Sequence, residues 1–142
     1  MYELDESENL GTSDIDGSAL VREMNKYPLA HLDDITTPLQ LDNGYIVNIF
    51  TTASSNTDEI FVSRMFAPSM APLPGEDPVC GSAHGVIAPY WYTKRGITSG
   101  NEVKAKQVSK RGGDLRVVWE RDAGRVRLRG QSVILATGNL AL

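Results

Sequence analysis

The chain has 142 residues and 41% hydrophobic content, enough to bury one ordinary core, so a single domain is expected. No apolar run approaches a membrane span, and the start, Met1-Tyr2-Glu3-Leu4-Asp5-Glu6, is acidic rather than the basic-then-apolar pattern of a secretion signal. The single cysteine, Cys80, excludes an internal disulfide and fits a reducing, cytoplasmic setting, and the formal net charge of −4 is too small to define a class of partner by itself.

That charge is unevenly spread. Through Phe66 there are 12 acids against 3 Lys/Arg, about −9; from Ala67 onward there are 6 against 11, about +5. Residues 1 to 17 are acidic and rich in Ser, Gly and Asn, and read as a flexible or linker-like start before a domain over 18–142. Ser18 to Tyr27 carries a weak apolar stripe, Ala19, Leu20, Met24 and Tyr27, ended by Pro28, and is expected to be a short helix. Asp42-Asn43-Gly44 is a tight-turn signal between two strands, Leu39 to Leu41 and Tyr45 to Thr52. In the second of these, Ile46, Val47, Ile49 and Phe50 crowd around Asn48, the pattern of an inner strand covered on both faces. Glu59 to Ala67 reads as another strand.

Pro72, Pro74, Gly75 and Pro78 then oppose regular structure up to Val79, and Asp77, directly before a proline, is biased to an extended backbone on a loop. From Ser82 the period changes. Ala83, Val86, Ile87, Tyr90 and Trp91 recur at helical spacing, and Lys94, Arg95 and Gly96 give a basic last turn with a glycine stop. Gly85, Ala88 and Tyr92 make the other face small or aromatic as well, so the helix is expected to be buried on most sides. Strands follow at Glu102 to Lys110, Leu115 to Glu120, Arg125 to Arg129 and Ser132 to Thr137, with turns at Gly112-Gly113, Asp122-Ala123-Gly124 and Gly130. The fold class is therefore α+β: a curled, mostly antiparallel sheet wrapped around one central helix.

Chemistry concentrates where the loop becomes the helix. Free backbone N–H groups in a first helical turn, together with the positive end of the macrodipole, favour an anion such as a substrate carboxylate, and Gly81 lets a ligand approach the backbone. The same field would favour a thiolate at Cys80 if its sulfur points there. Each residue also has a plainer role open to it. Ser82 can be an N-cap, Cys80 a small buried hydrophobe, Asp77 a turn closer and His84 a satisfied structural histidine. The only two histidines, His31 and His84, lack companions at ligand spacing, so no metal site is expected. Arg125, Arg127 and Arg129 alternate with Val126 and Leu128, a half-buried strand with a solvated charged face, and no aromatics are interleaved as nucleic-acid binding would ask.

The ordered string Glu76-Asp77-Pro78-Val79-Cys80-Gly81-Ser82-Ala83-His84, followed by Ala88-Pro89-Tyr90-Trp91, closely resembles the signature of the phenazine-biosynthesis-like (PhzF-like) isomerase family. Ser63-Arg64-Met65-Phe66-Ala67-Pro68 before it, and Arg111-Gly112-Gly113-Asp114-Leu115 and Val126-Arg127-Leu128-Arg129-Gly130 after it, lie in family order. The resemblance runs from about Asp42 to the C-terminus and fits the second of that family's two similar domains, which share the diaminopimelate epimerase fold. It implies an active site in the cleft between domains and cofactor-independent proton transfer at a carbon next to a carboxylate or amine in a small metabolite. Carried over residue by residue, it implies catalytic roles for Asp77 and Ser82, backbone donors at Gly81, and Ala83 and His84 beside the substrate. The family's acid/base glutamate belongs to the first domain, so this chain is expected to be incomplete without a partner half or a second copy. Cys80 stands where threonine is commoner; a cysteine in a related racemase turn makes a thiolate base the alternative. A non-catalytic binding module of the same fold is another.

Overall fold

The structure, a computed structural model, describes residues 1–5, 9–12, 48–56, 58–67 and 76–139. The expected helix at Ser18 to Tyr27 and the turn at Asp42-Asn43-Gly44 with its first strand lie outside the described residues, as does His31. The described elements are β1 (Tyr2–Glu3), β2 (Asn48–Ala53), β3 (Phe61–Phe66), β4 (Glu76–Asp77), the helix α1 (Gly81–Lys94), β5 (Glu102–Gln107), β6 (Gly113–Glu120) and β7 (Arg125–Arg129).

These strands form one mixed sheet in the order β1-β2-β3-β5-β6-β7, with β4 beside the end of β3. The β2–β3, β3–β4, β5–β6 and β6–β7 pairs are antiparallel, while β1–β2 and β3–β5 are parallel. The parallel β3–β5 pair needs a crossover, and α1 supplies it. β2 is an inner strand: Ile49, Phe50, Thr51, Thr52 and Ala53 are all buried, as apolar residues on successive positions require. The core between helix and sheet joins Ile49, Phe61 and Met65 to Ile87, Trp91 and Tyr92, and on the far side to Val103, Leu115 and Val117. Trp91 Nε1 donates to Thr51 Oγ1 at 2.9 Å, which satisfies the indole inside the core.

The helix ends on the mechanism its sequence announces. Gly96 takes φ 62°, its N–H donates to Thr93 O at 3.3 Å, and Ile97 N–H donates to Tyr92 O at 2.8 Å, the paired bonds of a Schellman C-cap. Burial of α1 is one-sided, however. Ala83, His84, Ile87, Ala88, Trp91 and Tyr92 are buried, while Val86 is 58% exposed. The sheet covers a single stripe of the helix, and residue size on the other face did not report that.

Three further expectations need correction. Asp77 is not simply on a loop: with Glu76 it forms the short strand β4 against Met65 and Phe66, because the extended backbone preferred before Pro78 fits a ladder. Ser132 to Thr137 is not a strand; residues 130–139 pair with no element among the described residues, and Val133, Ile134 and Leu135 are 80%, 81% and 93% exposed. The acidic start also contributes to the fold. Tyr2 and Glu3 pair with Phe50 and Thr51, Tyr2 stacks on Phe50, Leu10 is buried, and the Glu3 carboxylate accepts from Lys94 and Tyr90. Local composition contains no trace of these long-range partners.

Candidate functional site

The segment from Glu76 to Cys80 is a clamped turn. Arg64 grips Glu76 in a bidentate pair, Nε–Oε1 at 2.6 Å and a second nitrogen to Oε2 at 3.0 Å, with both side chains nearly buried. Asp77 Oδ1 accepts the Val79 N–H at 2.9 Å, closing the turn over Pro78, and Ser109 Oγ donates to Pro78 O at 2.7 Å. Gln107, wholly buried, spans the turn: its Oε1 accepts the Cys80 N–H at 2.8 Å and its Nε2 donates to the Asp77 carbonyl. Gly113 pairs with Gln107 across β5 and β6, and a Cβ there would lie 2.1 Å from Val79 Cγ2. Glycine is therefore required at 113 by close approach.

The helix opens directly from this turn. Cys80 is the N-cap, with φ −98° and ψ 107°, and it provides no side-chain cap; no acidic residue occupies the first turn. The first-turn N–H groups at Gly81 and Ser82 have no intrahelical acceptor, and both residues are exposed. At Gly81 a Cβ would make only ordinary contact with Leu128, and φ is not positive, so neither packing nor backbone demands glycine there. Cys80 is buried, with Sγ 3.2 Å from Ser82 Oγ.

His84 faces inward. Its Nδ1 is 2.7 Å from the Cys80 carbonyl and so carries the proton, which leaves Nε2 to accept from Ser63 Oγ at 3.3 Å. The ring stacks on Phe61 and is fully buried, and burial holds its pKa below the usual histidine range, partly countered by the Cys80 carbonyl. Ala83 packs in the same core. The structure thus gathers Asp77, Cys80, Gly81 and Ser82 around one turn, with Gly81 and Ser82 at the surface and Asp77 half-buried, while Ala83 and His84 sit behind it. Sequence reasoning missed Gln107. The signal was present: Val103, Ala105 and Gln107 are the inward positions of an alternating strand, and a buried amide at such a position must have partners.

Arg125 and Arg127 share Glu120, and Arg116 and Arg129 share Glu102. The hydrogen bond from Arg125, followed by that from Arg127, holds the Glu120 carboxyl below its usual range. Exposed pairs of this kind contribute little stability, and the four arginines outnumber the two carboxylates they share. Among the described residues no cluster of three His, Cys, Asp or Glu side chains could hold a metal, and no helix is long and apolar enough to cross a membrane.

A mixed sheet backing one helix, with a motif turn at that helix's N-terminus, makes this an α+β domain. The family model for phenazine biosynthesis-like (PhzC/PhzF) proteins matches residues 20–138, and the chain belongs to that family. It is 38% identical over 129 residues to an uncharacterized isomerase of Halalkalibacterium halodurans, covering 91% of this chain and 43% of that protein. It is also 34% identical to the human phenazine biosynthesis-like domain-containing protein, covering 85% of this chain and 43% of the other. The crystal structure of a PhzF-family protein from Enterococcus faecalis superposes with a TM-score of 0.67 at 31% identity, covering 99% of this chain and 43% of that one. The chain spans less than half the length of these relatives.

Proposed function

We propose that this chain is the C-terminal half of a cytoplasmic, cofactor-independent isomerase or epimerase that moves a proton on a small carboxylate-bearing metabolite. The observation that carries the reading is the exposed start of α1, where Gly81 and Ser82 present backbone N–H groups without an intrahelical acceptor and no acidic residue lies in the first turn. In this reading the Gly81 and Ser82 N–H groups hold the substrate carboxylate, the Ser82 hydroxyl adds a donor, and the Asp77 oxygen not used in the turn faces the proton path. Ala83 and His84 act from behind, His84 by fixing the Cys80 carbonyl. Cys80 takes a spectator role, since its sulfur is buried against Ser82 Oγ.

Turnover then requires a second half, from another chain or a second copy. Two features favour this. The relatives are more than twice as long, and residues 133–135 leave three consecutive apolar side chains in solvent inside the region that the family model matches. A binding module that keeps the anion site without turnover is the alternative. Isothermal titration with benzoate, anthranilate and L-glutamate tests the site: binding by the parent, lost in an Asp77→Ala/Ser82→Ala variant, is expected. Equal binding by parent and variant would refute the assignment.

A further inference from the structure

We propose that Gln107 is a positioning residue for the carboxylate-binding turn, an inference that rests on the functional reading above. The geometry leaves its amide no freedom. One end must accept, because its neighbour is the Cys80 N–H; the other must donate, because its neighbour is the Asp77 carbonyl. The amide orientation is fixed by its partners rather than by choice. The Gln side chain carries its acceptor and its donor on separate atoms of one planar group, which is what two backbone partners on either side of a turn require.

The consequence concerns the helix start. Gln107 takes up the buried Cys80 N–H, and the exposed Gly81 and Ser82 carry first-turn N–H groups that remain for a ligand. It also ties the Asp77 backbone to that of Cys80, which fixes the distance between the acid and the anion site. Ser109 and Gly113 press the same turn from the same hairpin. The β5–β6 hairpin thereby carries the site's geometry through Gln107, Ser109 and Gly113.

The test compares parent, Gln107→Leu and Gln107→Glu chains by residue-resolved amide hydrogen exchange at pH 7.5 and 5.0, with titration of benzoate, anthranilate and L-glutamate alongside. In Gln107→Leu the Val79 and Cys80 amides are expected to lose about tenfold or more protection while Ile87 and Trp91 keep theirs, with carboxylate affinity falling at least about fivefold. Gln107→Glu is expected to behave like the Leu variant at pH 7.5. It should recover toward the parent at pH 5.0, because burial raises the new carboxyl's pKa and the protonated acid again donates to Asp77. A residue that only fills space would show no such recovery. Turn protection within twofold of the parent in Gln107→Leu, or a Glu variant whose ratio to the parent is the same at both pH values, would overturn the proposal. Should the Leu variant not fold, the Glu variant decides, and a Glu variant unfolded at both pH values would make Gln107 a core residue only. A parent that binds none of the three acids refutes the carboxylate reading, while the exchange ratios still decide the clamp. A parent that binds, with an equally tight Leu variant, refutes the positioning role and leaves that reading standing.

Discussion

Substituting Gly113 by Ala isolates one steric contact behind the site. The added Cβ would sit 2.1 Å from Val79 Cγ2 and 3.2 Å from both Val79 Cβ and Cγ1, so rotating the valine does not clear it. Backbone strain does not enter, because Gly113, unlike Gly112 at φ 70°, is not in the left-handed region. Val79 cannot retreat easily either, since its N–H is held by Asp77 and the next residue by Gln107. Overpacking of this kind costs about 1–3 kcal/mol. In a Val79→Ala background only the 3.2 Å contact survives, which needs a few tenths of an ångström of give, and the cost of Gly113→Ala should fall below about 1 kcal/mol. Urea unfolding of the four proteins in the cycle measures this. A coupling of about 1–2 kcal/mol is expected; additivity within about 0.5 kcal/mol would show that the turn does not rest on the β6 backbone as described.

Other outcomes follow from the same contacts. His84 stays neutral in the fold because burial lowers its pKa, while the unfolded chain protonates near 6.5, so its contribution is present above that value and is lost as pH falls below it. Between pH 7.5 and 5.5 the parent should lose up to about 1.4 kcal/mol more stability than His84→Asn, and equal losses would contradict the buried neutral ring. Arg64→Met strands the nearly buried Glu76 carboxylate and should cost about 1–3 kcal/mol in urea unfolding, part of which Glu76→Gln recovers; a change below about 0.5 kcal/mol would refute the role of the pair. Ile134→Asp should leave stability within about 0.5 kcal/mol, because the side chain is exposed, yet suppress the self-association expected of the parent at micromolar concentration. A parent that sediments as a clean monomer would contradict that expectation.

What could be read from the sequence was what is local. The α1 period with its glycine stop, the span of β7 and the Ile49-Phe50 inner strand depend on neighbours within a few residues, and each is found in the structure. The parts that escaped depend on pairing at a distance. Nothing around Tyr2 announces that it will pair with β2, and nothing around Val133-Ile134-Leu135 announces that these residues pair with no described strand although the outer edge of β7 is open. At the site, the motif residues were visible because they are contiguous. Gln107 was overlooked although its inward register was legible, and Gly113 was read as a turn and motif residue without its contact to Val79, because the partners of both lie about 30 residues away and are placed beside them only by β5 and β6.

Amide chemical-shift mapping of the chain during titration with anthranilate shows most directly where a carboxylate binds. Shifts confined to Asp77, Val79, Cys80, Gly81 and Ser82, and absent from Asp77→Ala/Ser82→Ala, are the predicted result. Shifts centred instead on Lys104, Arg116 and Arg129, which line an open groove of about 590 Å³ on the sheet, would move the anion site away from the helix start and contradict the account.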